Sequence, residues 1–116
     1  MLFIQYPPCS TCKKAKAWLD EKGISYTDRN IKENNPTYEE LKAWYERSGM
    51  PLKKFFNTSG LLYKSMNLKD RLGDMTEEEQ LRLLASDGML VKRPLVISDT
   101  VILTGFREKE WEKLAE

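Results

Sequence analysis

The stretch LFIQYPPCSTCKKAKAWLDEKG, residues 2–23, decides the fold because it changes from a strand pattern to a helix pattern around two cysteines. Residues 2–6 form a short apolar run that predicts a strand, and Pro7-Pro8 ends it. From Ser10 to Lys22 apolar residues recur at helical spacing, and Gly23 is typical of the position just past a helix. The apolar residues of this predicted helix are Ala15, Trp18 and Leu19.

The segments that follow predict a second strand and several helices. Residues 25–31 predict a strand parallel to the first, because the helix between them makes a βαβ unit with a right-handed crossover. Two capping boxes, Thr37 with Glu40 and Thr76 with Glu79, predict the starts of two helices. A shorter helix is predicted at about residues 61–66, and Gly49 and Gly88 are predicted to end the two capped helices. The residues of these capped helices that we expect to face the core are Leu41, Trp44, Tyr45, Leu81, Leu84 and Ala85.

The last part of the chain predicts two strands and a helix. Residues 95–98 and 101–104 predict a hairpin, and a helix is predicted from about Arg107 to Ala115, with Trp111, Leu114 and Ala115 inward. The element order is therefore βαβ, several helices, then ββα. We expect an α/β fold in which both halves share one mixed sheet with helices packed on it.

The length, hydrophobic fraction and net charge of the chain exclude several classes of protein. The chain has 116 residues, so one domain is expected. A hydrophobic fraction of 41% is too high for a disordered chain, and the net charge of +1 provides no general attraction to nucleic acid or to an anionic membrane. The apolar runs are too short to span a bilayer, and residues 1–9 do not resemble a signal peptide. We therefore expect a cytoplasmic protein.

The chain contains two cysteines and no histidine. Without histidine there is no Ser-His or Cys-His catalytic pair and no histidine metal ligand, and two cysteines alone do not complete a structural zinc site. A nucleophile in this chain must therefore be activated by something other than imidazole. In the cytosol, where thiols are kept reduced, a lone cysteine pair favours reactivity over a structural disulfide.

Cys9 and Cys12 lie where the first strand turns into the first helix. The unpaired amides of residues 11 and 12 at a helix start stabilise a thiolate at Cys9. Lys13, Lys14 and Lys16 add positive potential, although they also fit an ordinary solvated helix face. Cys12, one turn further on, is placed to attack a mixed disulfide at Cys9. Two alternatives stay open: half-buried cysteines that only pack under the sheet, and half of an intermolecular metal clip.

A second signal is Arg93-Pro94, directly before the predicted strand at residues 95–98. A bond before proline is the ordinary place for a cis peptide, and a cis bond here would set backbone groups opposite Cys9. Arg93 would then present a planar guanidinium to an oxyanion or carboxylate. The alternative is a surface arginine followed by a trans proline at a strand start.

Together these motifs resemble the ArsC/Spx family, the arsenate-reductase-like proteins of the thioredoxin superfamily. The resemblance rests on the Pro-Cys-x-x-Cys-Lys-Lys-Ala helix start, the FFNTSG segment, the LLASDGMLVKRPLVI block and the closing GF…EW, and it covers nearly the whole chain. It implies a single thioredoxin-like domain, residues 1–116, with an inserted helical segment at about 34–87.

The resemblance also implies roles for individual residues. Cys9 matches the nucleophile, Arg93 and Pro94 match the arginine and cis-proline, and Ser10 and Thr11 fall in the loop that contacts the oxyanion. Asn57 stands where arsenate reductases have a further arginine, and Arg107 is the nearest candidate for a third. Those enzymes have a single cysteine in this loop, whereas the pair of Cys9 and Cys12 resembles the Spx-type regulators.

Two functions follow as expectations. The first is a cytosolic thiol oxidoreductase in which Cys9 attacks an oxyanion or a disulfide, and Cys12 or glutathione resolves the adduct. Glutaredoxin or thioredoxin would restore the thiols, with no bound cofactor and no metal. The second is an Spx-type redox-sensing regulator that binds the α subunit of RNA polymerase.

Overall fold

A four-stranded mixed sheet is built from the two ends of the chain. In the computed structural model, which describes residues 1–115, the strands are β1 Leu2–Gln5, β2 Thr27–Asn30, β3 Leu95–Ile97 and β4 Ile102–Thr104, in the order β2-β1-β3-β4. β1 pairs parallel with β2 and antiparallel with β3, and β3 pairs antiparallel with β4. The predicted mixed sheet with a βαβ half and a ββα half is confirmed.

The helices lie close to their predicted positions. They are α1 Ser10–Glu21, α2 Tyr38–Ser48, α3 Leu61–Ser65, α4 Leu68–Arg71, α5 Glu77–Ser86 and α6 Glu108–Trp111, with 3₁₀ turns at Leu52–Phe55, Leu72–Asp74, Gly88–Leu90 and Glu112–Ala115. The chain forms two compact units, residues 1–30 with 93–115 and Ile31–Lys92. In the part of the chain described, no helix is long and apolar enough to cross a bilayer.

One face of the sheet carries the core of the first unit. Side chains alternate between the two faces of a strand, so the cross-strand neighbours Phe3, Val96 and Leu103 share a face. The inward stripe of α1 and the fully buried Trp111 complete this cluster. Trp111 meets Phe106 edge to face, with ring centroids 4.9 Å apart, and its indole N–H donates to the Gly105 carbonyl. The prediction that Trp18 and Trp111 are core residues is confirmed.

The second unit is helical, and its two main helices begin as predicted. The hydroxyls of Thr37 and Thr76 each accept from the amide three residues on, and Glu40 and Glu79 complete the capping boxes. Gly49 follows α2 with a φ of 68°, a conformation that glycine adopts without a Cβ clash. The buried residues of α2 and α5 are Leu41, Trp44, Leu81 and Leu84, whereas Tyr45 and Ala85 are half-buried.

Two helix ends differ in detail from the sequence prediction. The helix α5 ends before Gly88 as predicted, but its C-cap is the extended Asp87, and Gly88 itself starts a 3₁₀ turn. Gly88 is needed for space, because a Cβ there would overlap the Ile31 carbonyl oxygen. Ala115 is exposed rather than inward. The α-helical part of the last helix stops at Trp111, and the tighter 3₁₀ turn that follows changes which residues face the core.

The packing of Gly88 leads to a stability prediction. Gly88→Ala is expected to lower the free energy of unfolding by about 1–3 kcal/mol, because the added methyl meets fixed backbone. Gly73→Ala is the matched control, since a Cβ at Gly73 meets nothing within 4 Å. Urea unfolding followed by circular dichroism measures both variants, and equal midpoints for the two would contradict the packing argument.

Candidate active site

The site begins at the turn between β1 and α1. The Cys9 amide donates to the Tyr6 carbonyl at 2.9 Å, and this bond closes the turn that contains both prolines. Cys9 is the N-cap of α1, with φ −73° and ψ 124°, and no side chain caps the helix. The first-turn amides are therefore left to interact with the group that stands in front of them, which is the Cys9 sulfur.

Cys9 is a free, half-buried thiol whose ionised form is stabilised by its neighbours. Partial burial alone would raise the pKa of Cys9, because it disfavours the charged sulfur. Hydrogen bonds from the Cys12 amide and thiol, the Thr11 amide and the Arg93 side chain outweigh burial and lower the pKa below its ordinary value of 9.0. The sequence argument from helix-start amides therefore agrees with the observed donors.

Cys12 has the opposite character. It is a free thiol and fully buried, and burial together with the nearby Cys9 sulfur raises the pKa of Cys12 to about 12. The Tyr6 amide donates to its sulfur at 3.4 Å, which favours the thiolate but does not offset burial. The two thiols thus lie one helical turn apart, one ready to ionise and one held neutral.

Arg93 joins this group from the start of β3. Its side chain hydrogen-bonds Cys9, and its guanidinium lies 5.1 Å from the centre of the Tyr6 ring. The Arg93-Pro94 peptide is cis, and the buried Pro94 accepts the Gly105 amide at 2.8 Å through its carbonyl. The structure therefore brings Cys9, Cys12, Thr11 and Arg93 together, while Ser10 occupies the exposed first position of α1.

The lysines of α1 match the solvated-face interpretation. Lys13, Lys14 and Lys16 are all exposed, and Lys16 pairs with Asp28 at 2.9 Å. The carboxylate of Asp28 also accepts two hydrogen bonds from the buried Gln5 amide. The charge of Lys16 is therefore directed to β2, and the donors that lower the pKa of Cys9 come from Cys12, Thr11 and Arg93.

Two predicted binding residues have local partners of their own. Asn57 lies in the second unit and is buried. Its backbone N–H donates to the Leu90 carbonyl at 2.8 Å, and its side-chain carbonyl oxygen accepts from the Ser59 hydroxyl at 3.4 Å. Arg107 precedes α6 with an exposed side chain 3.7 Å from the Glu110 carboxylate. A contribution of either residue to anion binding stays a prediction.

Sequence reasoning missed Tyr6. The residue is half-buried, and its backbone and ring contact three members of the group around Cys9. The available signal was its position, since an aromatic residue three places before Cys9 starts the turn that this cysteine ends. No set of three histidine, cysteine or acidic side chains suited to a metal ion occurs within residues 1–115.

Comparisons with known proteins identify relatives of the whole chain. The sequence model of the ArsC family matches residues 4–114. The chain is 53% identical over 113 residues to the uncharacterized protein YusI of Bacillus subtilis, with 97% of this chain and 96% of YusI covered. It is 28% identical over 105 residues to the global transcriptional regulator Spx 2 of Bacillus anthracis, with 90% of this chain and 79% of the regulator covered.

Solved structures give the same family. An ArsC family related protein of Bacteroides fragilis superposes with a TM-score of 0.95 at 61% identity, covering 97% of this chain and 95% of the other. A possible arsenate reductase of Streptococcus mutans superposes with a TM-score of 0.87 at 45% identity, covering 96% of both chains. With its thioredoxin-like mixed sheet and a family match over nearly its whole length, the chain belongs to the ArsC family.

Proposed function

We propose that this protein is a thiol-dependent oxidoreductase of the arsenate-reductase-like type, with Cys9 as its nucleophile. The observation that carries the proposal is the reduced Cys9 sulfur at the start of α1, hydrogen-bonded by Cys12, Thr11 and Arg93 so that its pKa is lowered. The thiolate is the reactive form of cysteine, and these donors supply without histidine the activation that a base would give.

The first step is attack by the Cys9 thiolate on a disulfide or on an oxyanion such as arsenate. On a disulfide, a new S–S bond forms to Cys9 and the other sulfur leaves as a thiolate that takes up a proton. On an oxyanion, the sulfur bonds to the central atom and one oxygen, after protonation, leaves as water. The helix-start amides and Arg93 would stabilise the negative charge of the oxyanion adduct.

The second step is attack on the Cys9 sulfur by Cys12 or by glutathione. Either thiol gives up its proton and forms a disulfide with Cys9. From a mixed disulfide the substrate sulfur leaves as a thiol, and from an oxyanion adduct the bonding pair stays on the central atom, which is reduced by two electrons. Glutaredoxin or thioredoxin is the proposed dithiol donor that then returns two electrons to the protein.

The difference between the two thiols supports this order of events. Burial is the main cause of the raised pKa of Cys12, and the negative Cys9 sulfur raises it further. Once Cys9 is bound to a substrate, its contribution to the raised pKa is gone, while the Tyr6 amide still donates to the Cys12 sulfur. Reaction at Cys9 would therefore make Cys12 easier to ionise than before the first step.

A second candidate function is redox-sensing regulation through RNA polymerase. It is favoured by the cysteine pair and by the similarity to proteins named global transcriptional regulator Spx. Here a Cys9–Cys12 disulfide would alter a surface that contacts the polymerase α subunit, and no substrate would be turned over.

The two thiols are expected to react very differently with iodoacetamide. Because the pKa of Cys9 lies below 9.0, its alkylation rate should reach half of its maximum below pH 9.0, whereas Cys12, with a pKa of about 12, should stay unmodified near neutral pH. Peptide mass spectrometry across a pH series measures both sites, with the denatured protein as control. Parallel labelling of the two cysteines in the folded protein would contradict the assignment.

Substitution of each cysteine separates the two chemical steps. Cys9→Ser is expected to reduce turnover of arsenate or of a glutathione mixed disulfide at least about a hundredfold, since the nucleophile is lost. Cys12→Ser should keep the first step and accumulate an adduct at Cys9 when glutathione is withheld, which intact-protein mass spectrometry detects. If Cys9→Ser turns over substrate as well as the wild type, the proposed mechanism is wrong.

The regulatory candidate is tested by retention on the immobilised C-terminal domain of the RNA polymerase α subunit. We expect no retention of either the reduced or the oxidised chain, because the proposed enzyme needs no such surface. Retention that depends on oxidation and is lost in Cys12→Ser would instead support the regulator.

A further inference from the structure

The chemistry proposed above makes no use of the side chain of Tyr6, although this side chain contacts a neighbour of Cys9. Its ring lies against the Arg93 guanidinium, with the guanidinium carbon 5.1 Å from the ring centre. Arg93 in turn hydrogen-bonds the Cys9 sulfur. The Arg93 guanidinium therefore contacts both the Tyr6 ring and the Cys9 sulfur and lies between them.

The ring of Tyr6 is a contact that limits where the Arg93 side chain can lie. Arg93 is only half-buried, and its long side chain has many rotamers to choose from in water. The face of an aromatic ring attracts a guanidinium through its quadrupole and through stacking with its flat surface. The ring of Tyr6 can thus restrict Arg93 to the rotamers that reach Cys9.

The backbone of Tyr6 makes separate contacts that a side-chain substitution leaves in place. Its carbonyl accepts the Cys9 amide at 2.9 Å, and its amide donates to the Cys12 sulfur at 3.4 Å. The role of the ring can therefore be tested apart from the role of the turn, because replacing the ring removes no hydrogen bond of the turn.

We propose that Tyr6 is a positioning residue whose ring holds the Arg93 guanidinium against the Cys9 sulfur. The proposal rests on the proposed function only in taking the Cys9 thiolate as the reactive group. The attraction between ring and guanidinium does not depend on the charge of the sulfur. Arg93 therefore stays in place when Cys9 is bound in an adduct, where it can contact an anionic group bonded to that sulfur.

The test measures the iodoacetamide rate of Cys9 across pH in the full-length chain. Tyr6→Leu removes the ring and is expected to lower the rate near neutral pH about two- to fivefold, by raising the pKa of Cys9. Tyr6→Phe restores an aromatic face without the hydroxyl and should return the rate to the wild-type value. Tyr6→Met is a second variant without a ring, used if the leucine variant fails to fold.

A double-mutant cycle with Arg93→Met separates positioning from general loosening of the turn. If the ring acts through the guanidinium, Tyr6→Leu should cause no further loss of rate once Arg93 is replaced. An equal loss in both backgrounds, or no loss in either, would overturn the proposal. An ordinary thiol pKa for Cys9 in the wild type would instead contradict the proposed function, so the two failures are distinguishable.

Discussion

The rest of the site depends on the hydrogen bond from the Cys9 amide to the Tyr6 carbonyl. This bond closes the turn over two prolines and makes Cys9 the N-cap of α1. At that position the sulfur meets the amides that a helix start leaves unpaired, and a negative charge is favoured there. Since β1 is an inner strand between β2 and β3, the turn is held by pairing on both sides. A rigid strand end thus becomes a site where a thiolate is stable.

The same turn makes the two thiols unequal. Cys12 is three residues further along α1 and fully buried, so burial holds it neutral, whereas Cys9 is half-buried and meets donors. The thiolate is the form of cysteine that attacks a disulfide, so the two thiols differ in how readily they can start such a reaction. One helical turn of separation is enough to produce this difference. Cys9 lies at the start of α1 beside unpaired amides, whereas Cys12 is one of the buried residues of the helix.

Sequence patterns predicted the elements that depend on local chemistry. The strand–turn–helix at residues 2–23, the two capping boxes and the hairpin all form, because short-range hydrogen bonds and hydrophobic periodicity specify them. The helix α5 ends before Gly88 as predicted, but the sequence did not show that Gly88 is needed for space beside the Ile31 carbonyl, which is a contact across 57 positions of chain. For Lys16 the sequence left open a contribution to the potential at Cys9 and a place on a solvated helix face, and the structure shows an exposed side chain paired with Asp28 on β2. Both contacts join residues that are distant in sequence.

The sequence by itself determined that Cys9 begins a helix, that Cys12 follows one turn later and that no histidine is present to activate either. Only the tertiary structure decided which donors act on the Cys9 sulfur. Arg93 is 84 positions from Cys9 along the chain and reaches it because β3 pairs with β1, and Tyr6 meets Arg93 for the same reason. The physical reason is that a helix start is a local property of a few consecutive residues. The pKa of a thiol instead depends on everything that surrounds it in space.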